Sequence, residues 1–174
     1  KFEKYIKEAA SQNVDLIVFP ECSLQGLPIG LTSIEAPKAF KLHEVAEQIP
    51  NGENVQKVIS LAKENDIYVV WSMVEQDQER FDVLYNTCVL VGPEGYIGKY
   101  RKVHQALAER LYLYPGNGEY PVFDTRIGKV GLSVCFDKAY PEVARILAIQ
   151  GAEIIVAPTA WRCTDRTDED PDFR

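Results

Sequence analysis

Helical patterns alternate along this chain with short apolar runs that favour strands. In the first segment the apolar residues recur at the three- and four-residue spacing of an amphipathic helix, at Phe2, Tyr5, Ile6, Ala9 and Ala10. The following run, residues 14–19, is apolar and rich in β-branched residues, which predicts a short buried strand that ends at Pro20. Such alternation is typical of a layered α/β protein.

Later segments repeat the alternation and add a hairpin. The predicted elements are a loop at 24–40, a helix after the turn 50–52, strands at 67–74, 83–91 and 96–100, a helix at 141–150 and a strand at 152–157. The hairpin is predicted because Gly92 and Gly95 flank a tight turn between two strand patterns. We therefore expect sheets that mix parallel and antiparallel pairs.

Composition excludes several classes of partner. With 174 residues, 46% of them hydrophobic, the chain can bury a substantial core, and we predict a single domain over residues 1–174. The net charge is −7, and the basic residues are scattered, so a nucleic-acid partner is not expected. No apolar stretch approaches the roughly 20 residues of a spanning helix, so we expect no membrane partner.

The four cysteines are far apart and form no C-x-x-C pair, which argues against a zinc site and a disulfide framework. The glycines of the predicted hairpin do not precede a helix, as they would in a dinucleotide-binding loop. We therefore expect no metal or other cofactor. A reducing, cytoplasmic compartment fits this use of cysteine.

Three reactive side chains lie at the ends of predicted strands. Glu21 follows the first strand, Lys102 follows the hairpin, and Cys135 ends a third apolar run, just before the helix at 141–150. Strand ends at one edge of an α/β sheet are where sites form, and a helix N-terminus favours thiolate over thiol. Taken singly, each has another interpretation: Cys135 as a buried structural cysteine, Lys102 as a solvated base and Glu21 as a loop cap.

The segments around these residues are FPE at 19–21, YRKVH at 100–104 and VCFD at 134–137. In order and spacing they resemble the Glu-Lys-Cys motifs of the nitrilase superfamily of carbon–nitrogen hydrolases. The resemblance extends over nearly the whole chain, as far as the segment 158–161. It implies an α-β-β-α sandwich with mixed sheets, incomplete at both ends, because the family's first strand and its C-terminal part are missing.

The resemblance also implies roles for these residues. Cys135 would attack an acyl carbon and form a thioester, and Glu21 would act as the base that later delivers the proton to the leaving amine. Lys102 and the backbone N–H of Phe136 would hold the oxyanion. The family often carries a second glutamate shortly after the lysine, and Glu109 matches that position. The alternative for Glu109 is an ordinary solvated charge.

The pair Phe136-Asp137 resembles the amidase and carbamoylase branches, whereas members that hydrolyse nitriles usually carry Trp-Glu there. We therefore expect hydrolysis of a small amide or N-carbamoyl compound that releases ammonia or an amine. Phe136, Lys138, Tyr140 and Trp161 are the expected substrate-binding residues. Carbamoyl-amino-acid hydrolases of the family can carry a basic pair just beyond the Asp to hold a substrate carboxylate, whereas Lys138 is the one base here, so a carboxylate-bearing substrate stays open. Nitrile hydrolysis stays open, as does a catalytically silent or ammonia-supplying domain of a larger protein.

Two further expectations concern His104 and the helix at 141–150. His104 and Cys135 suggest a papain-like pair, but the local signature of those proteases is absent, so we expect His104 to be a packing or hydrogen-bonding neighbour. The family typically pairs protomers through the helix after the cysteine. That helix carries apolar residues on more than one side, so we expect a homodimer or higher homo-oligomer. The alternative is a helix buried in its own core.

Overall fold

Two β-sheets lie face to face between helices in the computed structural model, which describes residues 1–26 and 42–160. The α-helices of these residues are α1 (Phe2–Ser11), α2 (Leu42–Val45), α3 (Glu53–Glu64) and α4 (Pro141–Ile149), with 3₁₀ helices at Leu107–Leu111 and Cys135–Ala139. The strands are β1 (Leu16–Val18), β2 (Tyr68–Gln76), β3 (Leu84–Gly92), β4 (Gly95–Arg101), β5 (Val122–Thr125), β6 (Gly128–Leu132) and β7 (Ile154–Val156). None of the described helices has the length and apolar content needed to cross a membrane.

Both sheets mix parallel and antiparallel strands. The first sheet has the order β1-β2-β3-β4, in which β1 runs parallel to β2 and the other neighbours are antiparallel. The second has the order β5-β6-β7, antiparallel and then parallel. Gly92 pairs with Gly95 at the end of the β3–β4 hairpin, and Gly95 has a φ of +112°, a backbone conformation that glycine adopts without strain. The predicted hairpin and the predicted mixture of pairings are confirmed.

Alternation along the strands creates one core on each side of the first sheet, because successive side chains point to opposite faces. The core between the two sheets includes Tyr68, Val70, Cys88, Leu90, Tyr100, Val130, Leu132 and Val156. The core under α1 and α3 includes Ile6, Val55, Val58, Ile59, Val69, Trp71, Met73, Val89 and Val91. Burial of these two apolar sets, at roughly 25 cal/mol per Å² of apolar surface, holds the layers together.

Helix α4 covers the outer face of the second sheet. Val143 and Leu147 are buried against it, and a side chain at Gly131 of β6 would lie only 3.1 Å from Leu147. The layers therefore follow the order helix, sheet, sheet, helix, which confirms the predicted sandwich. Ile149 is 79% exposed, so α4 is not buried all round in its own core. That the exposed side pairs protomers stays a prediction.

The structure corrects the prediction for the first strand and adds one strand that the sequence patterns did not indicate. The run 14–19 contains only the three-residue strand β1, and Val18 is 43% exposed because β1 lies at the edge of its sheet among the described residues. Strand β5 is short and interrupted by the exposed Asp124, so its apolar pattern is weak. Most of the loop predicted at 24–40 lies outside the described residues.

Candidate active site

Loops that follow strands of both sheets bring four reactive side chains together. Glu21 follows β1, Lys102 follows β4, Cys135 follows β6, and Glu109 lies in the 3₁₀ helix Leu107–Leu111. Their exposures are only 4%, 1%, 7% and 5%, in that order. Buried charged groups require partners, so the contacts among these side chains decide what the cluster can do.

Lys102 lies between the two carboxylates. Its Nζ donates to Oε1 of Glu21 at 2.7 Å and to Oε2 of Glu109 at 2.8 Å. Burial by itself disfavours an ammonium ion, but the charges of Glu109 and Glu21 outweigh burial and raise the pKa of Lys102 above its ordinary value. Lys102 is therefore a fixed positive charge throughout the neutral pH range.

Glu21 is held by donors at both carboxylate oxygens. Its Oε1 accepts from Lys102 and from Nδ2 of Asn86, the latter at 2.9 Å, and its Oε2 accepts from the backbone N–H of Ala160 at 3.1 Å. The segment before it is anchored to the neighbouring strand, because the N–H of Phe19 donates to the carbonyl of Val70 at 2.8 Å. The carboxylate therefore has a defined orientation relative to the lysine.

Glu109 is also fully engaged. Its Oε2 accepts from Lys102 and from the backbone N–H of Ala106, at 2.7 Å, and its Oε1 accepts from Nδ2 of Asn86 at 3.1 Å. A residue with these contacts and 5% exposure is not the solvated charge that was the alternative for this position. Glu109 instead is the second carboxylate that accepts a hydrogen bond from Lys102.

Cys135 lies on a sharp turn between β6 and the 3₁₀ helix. Its φ is +43°, in the left-handed region, where a residue with a side chain costs on the order of 1–3 kcal/mol. The turn is held in place, since the N–H of Cys135 donates to the carbonyl of Pro158 at 3.0 Å. A strained turn that the surrounding structure enforces is characteristic of a reactive group presented at a site.

The environment of Cys135 favours the thiol. Burial raises the pKa of Cys135 to about 11, and the hydrogen bond to Glu21 and the charge of that carboxylate act in the same direction, whereas the charge of Lys102 and the Ala160 N–H oppose it. This is opposite to the thiolate expected from a helix N-terminus. The residue begins a five-residue 3₁₀ helix, and α4 begins only at Pro141. Cys135 therefore needs a base to become a nucleophile at neutral pH.

Asp137 connects the cysteine turn to the segment that carries the lysine. It is fully buried, and Oδ2 accepts from the backbone N–H of Val134 at 3.0 Å and from the hydroxyl of Tyr100 at 2.9 Å. Oδ1 accepts from the backbone N–H of His104 at 3.0 Å and contacts Nδ1 of the same residue at 2.8 Å. Asp137 thus bridges two elements from different sheets.

The predicted substrate-binding residues lie beside this bridge, except for one that the structure does not describe. The ring of Tyr140 stacks on His104 at a centroid distance of 3.8 Å and meets Phe136 edge-on at 5.7 Å. Nζ of Lys138 donates to Oγ1 of Thr159 at 3.2 Å. Trp161 lies outside the described residues. Within the part of the chain that the structure describes, no group of three or more His, Cys, Asp or Glu side chains could hold a metal ion.

His104 contacts Asp137 and Tyr140, as the expectation of a hydrogen-bonding neighbour requires.

Sequence reasoning did not identify Ser72 and Asn86, which are fully buried on the inner face of the first sheet, next to the carboxylates. A signal for them exists in the sequence. Both are polar residues inside long apolar strand runs, and a buried polar residue in such a run needs a specific partner.

Replacement of Lys102 by methionine should destabilise the protein. The substitution leaves two buried carboxylates without their cation, which costs about 3–5 kcal/mol when one partner of a buried ion pair is removed. Urea unfolding at pH 7 measures the loss. The matched control is Lys99→Met, because Glu75, the buried partner of Lys99, keeps its bonds to Arg101. Equal losses in the two variants would contradict the central place of Lys102.

Comparison with known proteins supplies the context for this cluster. Residues 1–168 match the family described as carbon-nitrogen hydrolase. A protein named nitrilase from Pyrococcus abyssi is 40% identical over 158 residues, which cover 91% of this chain and 56% of the relative. Omega-amidase NIT2 of Homo sapiens is 36% identical over 171 residues, which cover 92% of this chain and 56% of that protein.

A solved structure has the same fold. The crystal structure of Saccharomyces cerevisiae Nit3, described as a member of branch 10 of the nitrilase superfamily, superposes with a TM-score of 0.76 at 28% identity. The match covers 92% of this chain and 57% of the yeast chain. The present chain thus spans little more than half the length of these relatives.

Proposed function

This chain belongs to the carbon-nitrogen hydrolase family, and from that premise we propose that it hydrolyses a small amide or N-carbamoyl compound through a thioester on Cys135. The observation that carries the proposal is the buried convergence of Glu21, Lys102 and Cys135, with the carboxylate bonded to the ammonium and close to the thiol. Amides are weak electrophiles with poor leaving groups. Their hydrolysis requires a nucleophile, a proton shuttle and a positive charge in one place.

In the first step the sulfur of Cys135 attacks the carbonyl carbon. Because the thiol has a pKa of about 11, its proton must leave as the sulfur–carbon bond forms, and the Glu21 carboxylate is the base beside it. The carbonyl π electrons move to oxygen. The charge that develops there needs donors already in position.

Lys102 and the backbone N–H of Phe136 are the proposed donors to this oxyanion. Lys102 is already charged and immobile, so it reorganises little when the oxyanion forms. Loss of one such donor typically costs about 3–4 kcal/mol of barrier lowering. Glu109 helps to keep the ammonium of Lys102 in place through a second hydrogen bond.

Collapse of the tetrahedral intermediate breaks the carbon–nitrogen bond. The departing nitrogen takes the proton that Glu21 holds and leaves as ammonia or an amine, and the acyl group remains on sulfur as a thioester. Water then attacks the thioester as Glu21 removes one of its protons. Collapse of the second intermediate releases the acid and returns the proton to the Cys135 sulfur.

Two observations support an amide over a nitrile as substrate. The cysteine is followed by Phe136-Asp137, which resembles the amidase and carbamoylase branches, whereas members that hydrolyse nitriles usually carry Trp-Glu there. The similar human protein is named an omega-amidase. Nitrile hydrolysis is the second candidate, because the similar Pyrococcus abyssi protein is named a nitrilase.

Ammonia release from a panel of small primary amides, ω-amides, N-carbamoyl amino acids and nitriles tests the proposal. We expect kcat/KM for the best amide or carbamoyl compound to exceed that for the best nitrile by at least about tenfold, a difference of about 1.4 kcal/mol in the barrier. A reversed ranking would favour the nitrile alternative. No ammonia from any member of the panel would contradict both.

A further inference from the structure

We propose that Asn86 is a positioning residue, which orients the carboxylates of Glu21 and Glu109 toward Lys102. The inference rests on the proposed function, because it assigns a task within that reaction. Asn86 lies on the inner face of β3 and is fully buried. Among the described residues, two side chains bond to both carboxylates, and these are Lys102 and Asn86.

The single amide nitrogen of Asn86 donates to both carboxylates. Nδ2 lies 2.9 Å from Oε1 of Glu21 and 3.1 Å from Oε1 of Glu109. A primary amide carries two hydrogens, so each carboxylate receives one. The amide therefore fixes the two carboxylates relative to each other, while Lys102 bridges them at a second point.

The orientation of the amide is itself determined by a short chain of hydrogen bonds. The hydroxyl of Ser72 accepts from the backbone N–H of Cys22 at 3.0 Å and donates to Oδ1 of Asn86 at 2.7 Å. With its oxygen engaged by a donor, the amide must turn its nitrogen toward the carboxylates. This series of hydrogen bonds begins at Cys22, the residue after Glu21, so it also connects the Asn86 amide to the loop that carries Glu21.

The backbone of Asn86 positions the third member of the cluster. Its carbonyl accepts from the N–H of Lys102 at 2.8 Å. One residue of β3 thus contacts Glu21 and Glu109 through its side chain and Lys102 through its main chain. A shift of Asn86 would move all three groups relative to Cys135.

Charge explains why an amide is suited to this place. Two carboxylates and one ammonium carry an excess negative charge when all are ionised, and buried like charges are costly. Two N–H donors reduce that cost without a second cation that would compete with Lys102 for the carboxylates. One of them occupies Oε1 of Glu21 and leaves Oε2 beside the Ala160 N–H, which lies near the Cys135 sulfur.

The next residue along the strand is a matched control. Thr87 is fully buried, points to the opposite face of the sheet and donates to Oε2 of the buried Glu75 at 2.6 Å. Thr87→Val therefore removes a hydrogen bond to a buried carboxylate from the same strand, away from the proposed site. Its loss of stability should resemble that of an Asn86 variant.

The test compares kcat and KM for Asn86→Leu, Asn86→Asp and Thr87→Val on the best amide of the panel. For both Asn86 variants kcat should fall about 100-fold, the lower end of what a positioned acid or base contributes, while KM changes less than about threefold. Asn86→Asp keeps the shape and the acceptor for Ser72 but has no N–H to give when ionised. Thr87→Val should keep kcat within about threefold.

The outcomes separate this inference from the proposed function. If turnover depends on Cys135 but the Asn86 variants keep their kcat, or if Thr87→Val loses as much, the inference is overturned and the proposed function stands. Turnover that does not depend on Cys135 overturns the proposed function itself. If neither Asn86 variant folds, Ser72→Ala decides the question, because it removes the hydrogen bond that orients the Asn86 amide. For Ser72→Ala we expect kcat to fall about tenfold at unchanged KM. An unchanged kcat overturns the inference.

Discussion

Cys135→Ala is expected to abolish ammonia release, with kcat lowered by at least about 10⁴-fold, the scale seen when a catalytic nucleophile is removed. The fold should persist. Alanine has a Cβ as cysteine does, so the backbone strain at φ +43° is unchanged, and only one sulfur atom is lost from the buried position. Ammonia assays together with thermal unfolding followed by circular dichroism measure the two effects.

Cys88→Ala is the matched control for this prediction. Cys88 is fully buried in the core between the sheets, and burial raises its pKa well above the ordinary value, so it is an inert structural thiol. Its removal should lower stability and leave kcat unchanged. Ammonia release that survives in Cys135→Ala, or that disappears equally in Cys88→Ala, would contradict the role of Cys135 as nucleophile.

Glu21→Gln should produce two effects of opposite sense. Turnover should fall about 10²- to 10⁴-fold, because the variant cannot accept the thiol proton or activate water. The thiol should nevertheless become more acidic. The carboxylate helps to raise the pKa of Cys135 to about 11, so removal of its charge lets the thiolate form at a lower pH.

The ultraviolet absorbance of the thiolate, followed as the pH is raised in proteins with and without Cys135, measures the pKa of Cys135 directly. The difference between each protein and its Cys135→Ser counterpart removes the contribution of the other cysteines. Glu75→Gln is the control, because this buried carboxylate lies on the outer side of the sheet with Thr87 and Arg101. A less acidic thiol in Glu21→Gln, or full turnover, would refute the assignment of Glu21 as the base.

The alternation of helices and strands could be predicted because apolar periodicity decides which faces are buried, whereas the order of the layers was implied by the family resemblance. The runs at 67–74 and 83–91 correspond closely to β2 and β3, and the two-residue alternation along them gives each side of the sheet its core. Glu21, Lys102 and Cys135 could be placed at strand ends from the same patterns, but only the resemblance of their three motifs to the family singled them out as site residues. A strand end in a layered α/β fold lies at an edge where loops from several strands meet.

What the sequence could not supply depends on contacts between distant segments. The acidity of Cys135 is governed by burial and by Glu21, and neither can be read from the local sequence, which suggested a helix N-terminus instead. The part played by Asn86 was hidden for a similar reason. A polar residue in an apolar strand indicates a buried partner, but only the packed sheets reveal that its partners are Glu21 and Glu109.

The most direct test is the intact mass of the protein after a rapid acid quench during turnover of a small primary amide. The proposed reaction predicts an added acyl group, located by peptide mapping on Cys135 and absent from Cys135→Ala. It also predicts that the adduct forms and decays at rates that account for kcat. Steady ammonia release with an acyl adduct on another residue, or release that persists in Cys135→Ala, would contradict the proposed mechanism.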